Sequence, residues 1–241
     1  MSLLNKHQIA ELCCFAVISD QQARSDLFSG SVVSENDYSS NFTGGLRRII
    51  NSHSRTGLKA TSQMLRPSTE RALGCDGAIL IRNGNNAKLA LFEAKWPKFS
   101  KPGYRWDKLQ KSSGVSHFTS QIVRQHRVSG TVAVFEMVQC EYEFNTQPSF
   151  MQSHGASCIW HKTAYQFSNS RALQGARWSQ KELEDLLELE SLNIAAIISD
   201  VCECKAGKLM HLQGELSEAF KELELAGEIL VIEGSEMHGP E

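Results

Sequence analysis

Asp76, Glu93 and Lys95 are the residues whose types and spacing carry the clearest chemistry in this chain. They bracket the stretch Asp76-Gly-Ala-Ile-Leu-Ile-Arg-Asn-Gly-Asn-Asn-Ala-Lys-Leu-Ala-Leu-Phe-Glu93-Ala-Lys95, in which Asp76 and Glu93 are the only acids. Two carboxylates held together offer hard oxygen ligands to Mg²⁺, which keeps several waters and binds readily beside phosphate. An ammonium next to them can orient or deprotonate a metal-bound water, or neutralise a pentacovalent phosphate. This is the equipment of phosphodiester hydrolysis.

The element that must position these groups is a β-hairpin. Gly and Asn cluster at 83–86 between two apolar runs, which is hairpin turn chemistry. With Gly84-Asn85 as a two-residue loop, Asp76 faces Glu93. With Asn83-Gly84 as the loop it pairs with Leu91, and Glu93 stays on the same face two residues along. Lys95 shares that face by parity, whereas a three-residue loop without a bulge would break the arrangement. Ile79, Leu80 and Ile81, then Leu89, Ala90, Leu91 and Phe92, leave no polar face, so both sides of the hairpin are expected to be covered. Carboxylates at the ends of buried strands repel each other unless a cation compensates them.

Asp76, a gap of 16 residues, then Glu93-Ala94-Lys95 on a hairpin resembles the signature of the PD-(D/E)XK nuclease superfamily, the restriction-endonuclease-like fold. The resemblance covers roughly residues 30–165, with Cys75 where a proline is usual. It implies an α/β (α+β) core with a mixed central sheet flanked by helices. It further implies a metal bound by Asp76 and Glu93 with help from the Ala94 carbonyl, and Lys95 acting on the nucleophilic water. Mg²⁺ is the implied cofactor, with Mn²⁺ as a substitute, and DNA the implied substrate. Relatives usually add a glutamate from the helix before the hairpin. Glu35 is the first choice here, Glu70 the second and Glu11 the third. They often add a glutamine from the next helix, which points to Gln121. A second triplet, Glu203-Cys-Lys205 with Asp200 upstream, has no room for a hairpin between its carboxylates and reads as chance.

The flanking pattern supports this reading. Residues 34–53 predict a helix capped by Ser34, with Phe42, Leu46, Ile49 and Ile50 as its core stripe and Gly44-Gly45 as a weak point. After Lys95, the cations Lys98, Lys101, Arg105, Lys108 and Lys111 face one acid, Asp107, and interleave with Trp96, Phe99, Tyr104 and Trp106. That mixture suits phosphates and splayed bases. A helix over 115–127 carries Gln121 and Gln125 on one face. Elsewhere the pattern predicts a helix over 5–18, loop or weak helix over 20–33, a strand over 131–144, a short strand at 157–161 and a helix near 162–173. Ser179 and Glu182 form a capping box for a helix with Leu183, Leu186 and Leu187 on one face. A helix over 209–226, stopped by Gly227, and a strand over 228–233 close the map.

Composition sets the frame. The 241 residues, 41% hydrophobic, can bury a full core. A nuclease-like domain is expected over 1–178, and an acidic, mainly helical extension over 179–241 that packs on the core or mediates assembly. Residues 179–241 hold 15 acids and 4 bases, which turns the overall charge of −2 into +9 for residues 1–178, a footprint suited to a polyanion. Seven cysteines without zinc-ribbon spacing suggest reduced thiols and a cytoplasmic setting. Leu12–Ile18 is too short to span a membrane, and no signal peptide is expected. With no phosphate-binding loop or helicase motif, any ATP-driven step would need a helicase or ATPase partner; a homodimer is the other assembly expected. The expected function is a Mg²⁺-dependent deoxyribonuclease, an endonuclease of bacterial or phage restriction or antiviral defence. The reading from another class is a nuclease-derived DNA-binding or assembly subunit that does not cut.

Overall fold

A computed structural model describes residues 2–64, 75–101, 103–211 and 228–234. They form a mixed α/β fold with one open seven-stranded sheet and six helices. Helix α1 (Lys6–Phe28) opens with a reciprocal capping box between Asn5 and Gln8. It runs ten residues past the expected end at 18, into the stretch 20–33 that reads as loop or weak helix in the sequence, where the helical alternative holds as far as Phe28. The polar residues there are buried with dedicated partners. Asp20 accepts from the Tyr38 hydroxyl at 2.6 Å and the Ala156 N–H at 2.9 Å. Arg24 donates to the carbonyls of Gln152 (2.9 Å), Ser153 (2.8 Å) and Tyr142 (3.1 Å).

Helix α2 (Glu35–His53) starts where expected, with Ser34 accepting from the Asp37 N–H at 3.1 Å. Strand β1 (Lys59–Met64) falls in what the sequence presents as a polar connection. Buried Ala60 between exposed Lys59 and Thr61 shows the alternation of an edge strand. Strands β2 (Gly77–Asn83) and β3 (Asn86–Lys95) form the hairpin, followed by α3 (His117–His126), β4 (Ala133–Val138) and β5 (Ser157–Trp160). Then come α4 (His161–Ser170), α5 (Gln180–Leu189), α6 (Ile194–Cys202), β6 (Met210–His211) and β7 (Glu228–Gly234).

Strand β4 is shorter than the expected 131–144. Gln139 still donates to the Lys95 carbonyl at 2.7 Å, but the chain then leaves the sheet, and Arg24 collects the Tyr142 carbonyl. The expected helix over 209–226 starts instead as strand β6, paired with Asn86 and Ala87; the rest of it lies outside the described residues.

The strand order is β1-β7-β2-β3-β4-β5, with β6 beside the start of β3. Strand β7 comes from the stretch expected to extend or cover the core, and it lies inside the sheet, antiparallel to β1 and parallel to β2. Ile79, Ala90, Phe92, Phe135 and Ile232 on one face pack with residues of α1, α2 and α6. Phe92 stacks on Phe135 at 5.7 Å and meets Phe42 edge-on at 6.3 Å. On the opposite face, Val138 and Ile159 pack with α3, α4 and α5. Burying each such large apolar side chain is worth about 1.5–3 kcal/mol. Residues on both faces of the hairpin are buried, and among the described residues no helix is long and apolar enough to cross a membrane.

Candidate active site

The hairpin register settles which face the charged groups share. Asn83 pairs with Asn86 and Gly77 with Phe92, so Gly84-Asn85 is the two-residue loop. The positive φ falls on Gly84 (56°), as a type II′ turn requires. One residue beyond the last pair, Asp76 lies across from Glu93. Its N–H donates to the Phe92 carbonyl at 2.8 Å, and its Oδ2 accepts from the Ala94 N–H at 2.8 Å. The aspartate is therefore clamped to the backbone between Glu93 and Lys95.

Glu93 Oε1 accepts from both Lys95 Nζ and Gln121 Nε2. Its Oε2 has no hydrogen-bond partner among the described residues, although Glu93 is only 1% exposed. Glu35, the first residue of α2, accepts from the Trp96 N–H at 2.7 Å and so ties that helix to the end of β3. The structure thus brings Asp76, Glu93, Lys95, Glu35 and Gln121 to one place. Glu11 is elsewhere: it accepts from the Ser54 hydroxyl and the Arg55 N–H, both at 2.7 Å, and fixes the turn after α2. Glu70 lies outside the described residues. Glu203-Cys-Lys205 sits in the turn after α6, where Lys205 pairs with Glu203 at 2.5 Å and Asp200 at 3.5 Å on the surface.

The electrostatics follow from burial. Burial alone would push Lys95 down, but the carboxylates of Glu93, Glu35 and Asp76 outweigh it and hold the ammonium above the ordinary lysine range. Lys95 is therefore charged at neutral pH: it can donate to a water or a phosphate oxygen, but it cannot take a proton. Burial raises Glu93 well above the usual carboxylate range, and Asp76 and Glu136 add to that against the opposing pull of Lys95. His117 is lowered by burial and by the charges of Lys95 and Arg124.

The donor set is all oxygen, as Mg²⁺ or Mn²⁺ prefers, and Glu93 Oε2 is a buried acceptor with nothing to accept from. Among the described residues no three His, Cys, Asp or Glu side chains are placed to hold a metal ion. A Mg²⁺ site would thus rest on Asp76, Glu93 and the Ala94 carbonyl, completed by water.

The aromatic loop divides differently from its composition. Phe99 is buried against Phe150 at 5.3 Å, and Trp106 packs edge-on against Phe118 at 5.2 Å. Asp107 is buried, bonded to the Ser116 hydroxyl (2.7 Å) and the Trp178 N–H (2.9 Å). Trp96 is half-buried against the main core and Tyr104 is exposed, and the Lys98 ammonium lies 4.2 Å and 5.0 Å from their ring centres.

Glu136 is the residue the sequence reading passed over. It is fully buried and pairs with Glu93 across β3 and β4. Its signal was a lone charge in the apolar run Val132–Val138.

Comparison of the chain with protein-family models, with curated proteins and with solved structures found no match.

Proposed function

We propose that this chain is a metal-dependent nuclease of the PD-(D/E)XK superfamily, with a restriction-endonuclease-like core, that hydrolyses DNA phosphodiester bonds. The observation that carries the reading is the meeting of Asp76, Glu93 and Lys95 at one end of the hairpin, with Glu35 beside them. A Mg²⁺ or Mn²⁺ ion held by Asp76, Glu93 and the Ala94 carbonyl would polarise a phosphate oxygen and acidify a bound water. Lys95, as an ammonium, would donate to that water or to a non-bridging phosphate oxygen and offset developing charge. Gln121 fixes Glu93, and Glu35 fixes the strand end from which Lys95 projects.

A second reading draws on the burial of the ion pair. Lys95 is 7% exposed and bonded to Glu93, the closed state that a DNA-binding or assembly subunit without cutting activity would keep. Cleavage of supercoiled and linear plasmid with Mg²⁺ or Mn²⁺, wild type beside Lys95→Ala, decides between them. Metal-dependent cutting abolished by the substitution supports the nuclease. Salt-sensitive DNA binding without cutting by either protein supports the binding subunit.

A further inference from the structure

Helix α4 begins at His161 without a capping side chain. The first N–H groups of a helix lack intrahelical partners and carry partial positive charge, which makes such an end receptive to anions. Here His161, Lys162 and Thr163 line a cleft of about 1030 Å³, with Arg127 and Lys162 exposed at its rim.

His161 supplies an independent sign of a ligand. The ring is 2% exposed, and its Nδ1 lies 3.2 Å from Gln125 Oε1 and 3.9 Å from Glu136 Oε1. Its Nε2 has no hydrogen-bond partner among the described residues. Leaving such an atom unsatisfied costs about 1–3 kcal/mol, and because the atom is closed off from solvent a ligand recovers it only where the ring turns toward the cleft.

The same wall carries a flat platform. Tyr165 and His126 line the cleft and stack at 3.6 Å with planes 4° apart. Tyr165 stands one turn beyond His161, about 6 Å along the helix, and a further flat ring can extend such a stack. Two carboxylates of the lining oppose an anion, Glu190 and Asp200, and buried Glu136 lies behind the His161 ring. Glu190 lines the cleft, and its Oε2 accepts from the Trp160 N–H at 2.6 Å. Lys205 is already engaged by Asp200 and Glu203, which leaves Arg127 and Lys162 as the cations facing a ligand.

We infer that this cleft binds a nucleotide, with its phosphate at the start of α4 between Lys162, Arg127 and His161, and its base against the Tyr165–His126 stack. The cleft touches Val132, Ala133 and Val134 at the start of β4, whereas Lys95 aligns with Val138 at the other end of that strand. The five-residue step from Ala133 to Val138 spans about 17 Å, but His161 lies 3.9 Å from Glu136, the in-register neighbour of Glu93, so the two sites adjoin through Glu136; the cleft's lining uses none of the groups on which the nuclease reading rests. The nucleotide can be free or part of a strand, and the two sources share this chemistry.

The test is calorimetric titration of the full chain, without metal, with adenosine, guanosine, cytidine and uridine monophosphates and with inorganic phosphate. At least one monophosphate should bind one-to-one, and phosphate alone about tenfold or more weakly because it lacks the base. Lys162→Glu, an exposed change, should weaken the nucleotide about tenfold or more, and Glu190→Gln should tighten it several-fold. Thermal melts show which variants are folded. A short single-stranded oligonucleotide that displaces the nucleotide assigns it to a nucleic-acid strand; failure to displace it assigns a free ligand. Absence of saturable binding of all four monophosphates, or binding indifferent to both Lys162→Glu and Glu190→Gln, overturns the inference.

Discussion

Glu93 and Glu136 stand side by side on adjacent parallel strands, paired in register and both buried. Neighbouring strands are about 4.8 Å apart, so the two side chains leave the sheet as close neighbours. Glu93 has Lys95 and Gln121; neither Glu136 oxygen has a hydrogen bond among the described residues, and the nearest cationic candidate is His161 Nδ1 at 3.9 Å. Replacing one charge of an undercompensated buried pair by an amide of the same shape should therefore stabilise the protein. Glu136→Gln is expected to gain about 1–2 kcal/mol in urea unfolding without metal. A loss of stability would mean that Glu136 is compensated in the folded protein, and the repulsion argument would fail.

Lys95 is the counterpart of that excess charge. Removing one partner of a buried ion pair typically costs about 3–5 kcal/mol because the other stays behind unpaired. Lys95→Met should approach this loss, and Lys95→Met combined with Glu93→Gln should recover much of it. A double-mutant cycle reads the coupling directly. Additive losses would show that the two side chains do not interact in solution.

How far the sequence went depends on the range of the interactions involved. The hairpin was legible because its pattern is local: two apolar runs, Gly84 where φ must be positive, and a parity that survives either two-residue loop. The caps at Ser34 and Ser179 were legible for the same reason. The second half of α1 was legible only as loop or weak helix, because Asp20 and Arg24 look like solvent residues until Tyr38, Gln152 and Ala156 arrive from far along the chain. The place of β7 between β1 and β2 is a matter of long-range pairing that no local pattern encodes. At the candidate site, spacing put Asp76, Glu93 and Lys95 on one face, but Glu35 was one of three glutamates until α2 docked on the end of β3. The interleaved cations and aromatics after Lys95 could serve a ligand or a core, and packing assigns Phe99 and Trp106 to the core.

Asp20 gives a pH dependence with a definite sign. Burial pushes its carboxyl up to about 7 from 3.8, against the lowering effect of the Tyr38 hydroxyl, the Ala156 N–H and Arg24. A carboxyl raised on folding binds its proton more tightly in the folded state. Its contribution is thus fully present below the unfolded value near 4 and is lost as pH rises through about 7. Across that window the loss is on the order of a few kcal/mol. Asp20→Asn mimics the protonated carboxyl, so it should lie close to wild type at pH 4 and gain on it as pH rises through about 7, where wild type must bury a charge. A constant gap in urea midpoints over pH 4–8 would contradict this.

Gly77 couples packing to the candidate site. It follows Asp76 and pairs with Phe92, and a Cβ added to it would run into the Phe92 ring. That ring is held by Phe42 at its edge and Phe135 on its face, so it has little room to retreat. Gly77→Ala should therefore cost about 1–3 kcal/mol, as overpacking does. The strain falls beside the clamp between Asp76 and the Ala94 N–H, so Mn²⁺ affinity and plasmid nicking should drop with stability. Gly84→Ala is the control at the other end of the hairpin. A side chain at its φ of 56° costs about 1 kcal/mol but leaves Asp76 untouched, so stability should fall while metal affinity holds. Equal losses of metal affinity in the two variants would mean that hairpin stability alone, and not the seat of Asp76 beside Phe92, governs the site.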